Sequence, residues 1–194
     1  MDKSPTADAH GLGPVSGWVK RWSHLVPPGG SVLDIACGRG RHMQWFAEKG
    51  HAVTGIDRSS EAIDAASNFG EAVLADIENS PWPLMNGILL RQFEAVIVTN
   101  YLWRPLFPVI AQSVAPGGIL IYETFSQGNE TVGKPSRPDF LLRPAELLVA
   151  FKSLRIVAFE EGFLQNPPRF VQRITAARSD LRDETDQAPK LYPL

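Results

Sequence analysis

A single cysteine among 194 residues leaves no partner for an internal disulfide. No apolar run approaches the roughly 20 residues that a membrane-spanning helix needs, so no membrane partner is expected. The opening stretch Met1-Asp-Lys-Ser-Pro-Thr-Ala-Asp8 lacks the apolar core of a secretory signal, which points to a cytoplasmic protein. No His/Cys cluster has metal-ligand spacing, and no metal is expected. Positive charge is not in excess either. Lys and Arg total 19 against 21 Asp and Glu, a formal net charge of −2, so the overall basic field behind nonspecific nucleic-acid binding is missing. Repeats and low-complexity tracts are absent. What the chain does have is apolar content, 44% of residues, enough for one sizeable core. We therefore expect one domain over residues 1–194, with loose ends at about 1–12 and 179–194.

The informative stretch is Ser31-Val-Leu-Asp-Ile-Ala-Cys-Gly-Arg-Gly-Arg-His42, where a buried-strand pattern breaks into a glycine turn. Gly38 and Gly40 accept backbone angles closed to other residues and let a ligand rest on the main chain. Arg41 to Lys49 then has helical spacing, which aims its first amides into the same crevice. Two more acids follow at strand ends. Gly50-His-Ala-Val-Thr-Gly-Ile-Asp57 is a short apolar strand closing on a carboxylate 23 residues after Asp34, placed to accept ribose hydroxyls. After a helix from Ser59 to Phe69, Glu71-Ala-Val-Leu-Ala75 ends in Asp76, again at the carboxyl edge of a parallel sheet, where ligands collect.

These residues resemble the class I S-adenosylmethionine-dependent methyltransferases, over roughly Trp18 to Ala177. Asp34, Gly38 and Gly40 match that family's first motif, with Ala36 where the family often has its first glycine. Asp57 matches its ribose-binding acid, and Asp76 with Ile77 its adenine-side pair. Phe93 to Tyr101 resembles the fourth-strand motif, with Asn100 where the family commonly has Asp or Asn, and Ala115-Pro-Gly-Gly118 looks like the turn into strand five. The resemblance implies an α/β, Rossmann-like doubly wound sheet of seven strands, mostly parallel with an antiparallel last strand. It implies S-adenosyl-L-methionine as cofactor and a small-molecule methyl acceptor. The wording Asp34-Ile-Ala-Cys-Gly-Arg-Gly40 is similar to the tellurite-resistance and small-molecule branches of the bacterial enzymes. An NAD-dependent oxidoreductase would need a glycine where Met43 stands, and a catalytically silent cofactor-binding module is the other alternative. Base-methylating enzymes carry Pro-Pro after the fourth-strand Asn or Asp; here the chain runs Asn100-Tyr-Leu-Trp103.

Around this frame, Val15 to Leu25 reads as a helix whose Trp18 and Trp22 share a face, either packed on the sheet or with Trp18 closing over the cofactor. Strands and helices are expected to alternate regularly up to strand five. Phe125 to Phe140 is then a long loop broken by Gly128, Gly133, Pro135 and Pro138, which leaves the ligand edge and has the character of a mobile lid. Its Lys134 and Arg137 are candidates for contact with an anionic acceptor. A helix from about Pro144 to Phe151 and strands near Leu154–Phe159 and Phe170–Ala176 follow, the last two antiparallel because only Asn166-Pro-Pro168 joins them.

Methyl transfer from a sulfonium asks chiefly that a nucleophile be held in line behind the methyl group. A soft anion needs no strong base, whereas an amine or hydroxyl calls for one nearby. His42, Tyr101, Tyr122 and Glu123 are the polar candidates, and none stands in a recognisable catalytic dyad. Cys37 reads as a small turn filler.

Overall fold

The computed structural model describes residues 12–180 and 191–194. Residues 1–11 and 181–190, most of the two ends expected to be loose, lie outside the described residues. Seven segments form one sheet: β1 (Val32–Ile35), β2 (Val53–Asp57), β3 (Glu71–Leu74), β4 (Phe93–Thr99), β5 (Val114–Phe125), β6 (Arg155–Gln165) and β7 (Pro168–Ala177), in the order β3-β2-β1-β4-β5-β7-β6. The first five pair in parallel, and β7 runs antiparallel to both β5 and β6. The expected doubly wound, Rossmann-like sheet with a reversed last strand is therefore present.

Near-continuous apolar runs make the inner strands, as a parallel sheet covered on both faces requires. In β4 every second side chain goes to the same side. Val96 and Val98 join one core cluster, Ala95 and Ile97 the other. The second cluster is completed by α1 (Gly17–Trp22), α2 (Arg41–Ala47) and α3 (Ser60–Ala66), which contribute Trp18, Trp22, Met43, Phe46 and Ile63. The first is covered by α4 (Phe107–Ser113) and α5 (Glu146–Ala150) through Ile110 and Leu147. Hydroxyl caps start two of these helices. Ser16 accepts from the amides of Trp18 and Val19, and Ser59 from that of Ala62.

Two expectations change. No helix joins β3 to β4. Pro81-Trp-Pro-Leu84 cannot continue a helical ladder, and the chain instead makes a short hairpin, Met85–Asn86 against Leu89–Leu90. The final hairpin is also longer than its apolar pattern suggested. Strand β6 carries Glu160, Glu161 and other exposed residues, because at the sheet edge it pairs with β7 alone. No described helix is long and apolar enough to cross a membrane.

Candidate functional site

The parallel strands deliver their carboxyl ends to one edge, and three backbone turns shape it. Gly40 (φ 87°) caps α2 in the left-handed region, and a Cβ there would sit 3.0 Å from both the Ala66 Cα and the Phe69 ring. Ala36 (φ 54°) and Asn100 (φ 55°) take the same conformation without being glycine. Asn tolerates it; for Ala it costs about 1–2 kcal/mol. All three lie past the ends of β1 and β4, where the backbone must leave the sheet and turn under the crevice.

Two adjoining cavities open here. The larger, ≈ 380 Å³, is lined by Asp57, Arg58, Asp76, Ile77, Tyr101 and Phe140 among others. The smaller, ≈ 300 Å³, is walled by Gly38, Arg39, Arg41 and Thr99, and the two share Ala36 and Asn100. Asp57 Oδ2 accepts the Gly38 amide at 2.9 Å, and Oδ1 that of Ser59 at 2.9 Å. Asp76 caps its own turn. It accepts from the Glu78 and Asn79 amides at 3.1 and 3.3 Å and from the Asn79 side chain at 2.8 Å, and these bonds, the side-chain one foremost, hold its pKa below the usual carboxylate range. That turn brings Ile77 and Glu78 to the cavity wall.

Asp34 lies deeper than a lip residue. It is 1% exposed and lines neither cavity. Burial pushes its pKa up to about 8, with Arg41 pulling down and Asp57 adding to the rise. Next to it His42, equally buried, accepts the Ser16 amide on Nε2 at 3.2 Å, which puts the ring proton on Nδ1, 3.5 Å from Thr99 Oγ1 and 3.9 Å from Asp34 Oδ2. Burial, then the charge of Arg41, pushes the His42 pKa down to about 3, so the ring stays neutral. Ser16 in turn donates its hydroxyl to Glu123 Oε1 at 3.1 Å. The first strand, α2 and β5 are thus tied together under the smaller cavity.

Of the other residues singled out in the sequence, Tyr101 lines the larger cavity, and burial together with the charge of Glu78 raises its phenol pKa. Trp18 and Tyr122 are not brought to either cavity. The Trp18 indole donates to the Ile174 carbonyl at 3.2 Å beneath the sheet, and the Tyr122 hydroxyl donates to the Tyr101 carbonyl at 2.9 Å. Lys134 and Arg137 stand in solvent, Arg137 against Asp139 at 3.2 Å. Burial raises the Cys37 thiol, consistent with a turn filler. Sequence reasoning passed over Arg41, whose place directly after Gly40 was its only signal, and Arg169 and Arg173, whose approach to Glu123 at 3.5 and 3.3 Å follows from cross-strand pairing.

The sheet order, the reversed last strand and the crevice at the carboxyl edge define a doubly wound α/β domain built to hold a nucleotide-like ligand. Residues 32–118 match the family model for a methyltransferase domain. The chain is 30% identical to YqeM of Bacillus subtilis (strain 168) over 126 residues, 58% of this chain and 49% of that protein. It is 33% identical to the malonyl-[acyl-carrier protein] O-methyltransferase of Salmonella typhimurium (strain LT2) over 102 residues, 51% of this chain and 40% of that protein. It therefore spans about half the length, or less, of these relatives. The crystal structure of TehB from Haemophilus influenzae superimposes with a TM-score of 0.69 at 17% identity, over 85% of this chain and 63% of that one. By this match over residues 32–118 and by this fold, the chain is similar to the class I S-adenosylmethionine-dependent methyltransferases.

Proposed function

We propose that this chain transfers a methyl group from S-adenosylmethionine to a small-molecule acceptor, with residues 1–194 acting as one methyltransferase domain. The observation that carries this is the ≈ 380 Å³ cavity in which Asp57, the Asp76–Ile77 turn and Asn100 meet. Its volume lies within the range of small-molecule sites. The residues present fit a nucleoside with a polar tail. Asp57 has acceptor capacity beyond its two backbone bonds for a ribose diol, Ile77 offers an apolar wall for a purine, and the open turn at Gly38 leads into the smaller cavity. A Cβ at Gly38 would meet nothing within 4 Å, so that side of the turn is clear for a ligand.

Bound there, S-adenosylmethionine supplies an electrophilic sulfonium methyl. The chain's own contribution is placement. Ala36, Gly38, Asp57, Asp76, Ile77 and Asn100 are assigned to the cofactor side, and Asp34 and Gly40, which line neither cavity, are assigned to it through the turn they support. Tyr101 is assigned to the acceptor side, and the segment Phe125–Phe140 acts as a cover that keeps water out. Phe125, Pro135 and Phe140 of that segment already line the cavity. His42 is buried, neutral and bonded through both ring nitrogens, which suits it to hold the glycine turn against β5 and not to accept a substrate proton. A soft or already anionic nucleophile needs no base from this set.

Calorimetry is the direct test: S-adenosylmethionine and S-adenosylhomocysteine are expected to bind, and NAD is not. Radiolabelled S-adenosylmethionine with a panel of small-molecule acceptors then reads where the label goes. Tight NAD binding without response to either sulfur nucleoside would remove the methyltransferase assignment, and binding without label transfer to any acceptor would favour a silent cofactor-binding module.

A further inference from the structure

At the ligand edge, two guanidinium groups are incompletely paired. Glu123, 2% exposed, faces two guanidinium groups at once: Arg173 Nε is 3.3 Å from Oε2, and Arg169 Nη2 is 3.5 Å from Oε1. Arg173 is further engaged by Glu160 at 3.8 Å and by the face of Trp18 at 5.5 Å, while Glu160 also pairs with Arg21 at 3.0 Å. Arg169 has Glu123 only in part, and its Nε is buried with no hydrogen-bond partner. Among the described residues, Arg41 has no carboxylate within ion-pair distance. Its guanidinium donates to two neutral oxygens, the Pro14 carbonyl and Thr99 Oγ1, both at 3.3 Å. Thr99, which holds Arg41, is the register partner of Glu123, which holds Arg169, so the two guanidiniums are anchored on neighbouring strand ends. Burial lowers the Arg41 pKa, with Asp34 and Glu123 opposing the fall and the like charge of Arg169 adding to it.

Their place in the fold matters as much as their charge. Because β7 is reversed, it begins where the parallel strands end: Val171 pairs with Phe125, and Phe170 accepts the Ser126 amide at 3.0 Å. Arg169, one residue earlier, therefore lies beyond the end of β5, over the edge where both cavities open. Arg41 forms part of the smaller cavity's wall beside Thr99 and Asn100. Arg39, on the wall of the smaller cavity, is paired with Glu61 at 2.7 Å, and Arg58 lines the larger cavity in the company of Asp57, Asp76 and Glu78.

We propose that Arg169 and Arg41 together receive an acid group of the methyl acceptor, a carboxylate or a comparable oxyanion, and so restrict the substrate to small anionic molecules. This rests on the methyl-transfer assignment above. Two half-buried guanidiniums, one sharing the Glu123 carboxylate with Arg173 and the other held by neutral oxygens, carry a desolvation cost that an oxyanion relieves, and a guanidinium's planar donor edge suits two oxygens at once. The solvent-facing Lys134 and Arg137, suggested by the sequence for the same task, have no such cost to relieve; Arg137 has its own carboxylate.

The test uses the full chain saturated with S-adenosylhomocysteine, titrated calorimetrically with acetate, benzoate, malonate and inorganic phosphate. At least one of these anions is expected to bind. Arg169→Gln and Arg41→Gln should each weaken that anion by about tenfold or more, the worth of one charge-assisted bond, and Arg169→Lys should recover part of the loss. The affinity of Arg169→Gln for S-adenosylhomocysteine should stay within about twofold of the parent. Three outcomes overturn the proposal: no anion binds the loaded chain; the folded Gln or Lys variants bind it unchanged; or Arg169→Gln weakens S-adenosylhomocysteine while sparing methylthioadenosine. That nucleoside lacks the amino-acid carboxylate, so the last result would assign the pair to the cofactor. If S-adenosylhomocysteine fails to bind the parent chain, the methyl-transfer assignment falls, and the same anion titration of the free chain decides the guanidinium pair alone.

Discussion

Asp57 Oδ2 and the Gly38 amide stand 2.9 Å apart, so the acid that ends β2 also holds the glycine turn that follows β1. One carboxylate thus shapes the crevice and lines it. The arrangement couples loop geometry to ligand contact, and substitutions at Asp57 act on both.

Asp57→Ala should therefore weaken S-adenosylhomocysteine by more than a lone ribose contact would. A charged hydrogen bond is worth about 1.5–3 kcal/mol, or roughly ten- to a hundredfold in affinity, and loosening of the Gly38 turn adds to it. Asp57→Asn, which keeps an acceptor oxygen for the Gly38 amide, should lose less. Equal losses in the two folded variants, measured by calorimetry, would show that the turn needs no tether.

Backbone strain gives a second test, with opposite signs at neighbouring positions. Ala36→Gly removes a Cβ from the left-handed region and should stabilise the fold by about 1 kcal/mol, raising Tm by roughly 2–4 °C. Gly40→Ala places a Cβ in that region and 3.0 Å from the Ala66 backbone, and should destabilise by about 2–3 kcal/mol. Thermal unfolding of the two variants checks both, and a destabilised Ala36→Gly would contradict the assigned conformation.

Stability should also respond to pH through Asp34 and His42. Folded Asp34 keeps its proton up to about 8, whereas the unfolded side chain releases it near 3.8, so between these values the folded state binds more protons and stability falls as pH rises. His42 works the other way at the acid end. The unfolded ring takes a proton below 6.5 and the folded one only near 3, so stability falls as pH drops through that window. From 4 to 6.5 the two oppose each other, and from 6.5 to 8 only the Asp34 slope remains. Asp34→Asn should therefore gain on the parent steadily between pH 6.5 and 8 in urea unfolding; parallel curves would exclude a buried protonated Asp34.

The segment Phe125–Phe140 has a fixed base and a buckle. Asn129, 1% exposed, donates to the Pro135 carbonyl at 3.0 Å and accepts the Phe170 amide at 3.2 Å. Arg104 donates twice to the Glu146 carboxylate, at 2.6 and 3.0 Å, and to the carbonyls of Asp139 and Leu141 at 2.7 and 2.9 Å, on either side of Phe140. Arg104→Ala should raise amide hydrogen exchange across 137–142 by about tenfold, equivalent to a local loss of about 1.4 kcal/mol, with little effect on global stability. Unchanged exchange there would mean that packing of Leu141 and Leu142 alone holds the segment.

The residues themselves carried the frame. Apolar runs long enough for a strand, closed by Asp34, Asp57 and Asp76 and separated by helical spacing, determined a parallel sheet with a ligand edge, because side-chain periodicity and strand-end polarity are local properties. Asn166-Pro-Pro168 likewise determined the reversed strand, since so short a link admits no crossover. Tertiary structure decided which polar side chains reach the crevice. Trp18, His42 and Tyr122 looked available in one dimension and are buried, because helix rotation and the opposite strand face direct them inward. Asp34 is buried beneath the crevice for the same reason. Arg169 has no local signal at all. It reaches the sheet edge that also holds Arg41, 128 residues earlier, only because β7 pairs antiparallel with β5 and starts above the edge where the parallel strands stop. Proximity between residues so far apart in sequence is set by strand pairing across the whole sheet, and no window of the chain contains it.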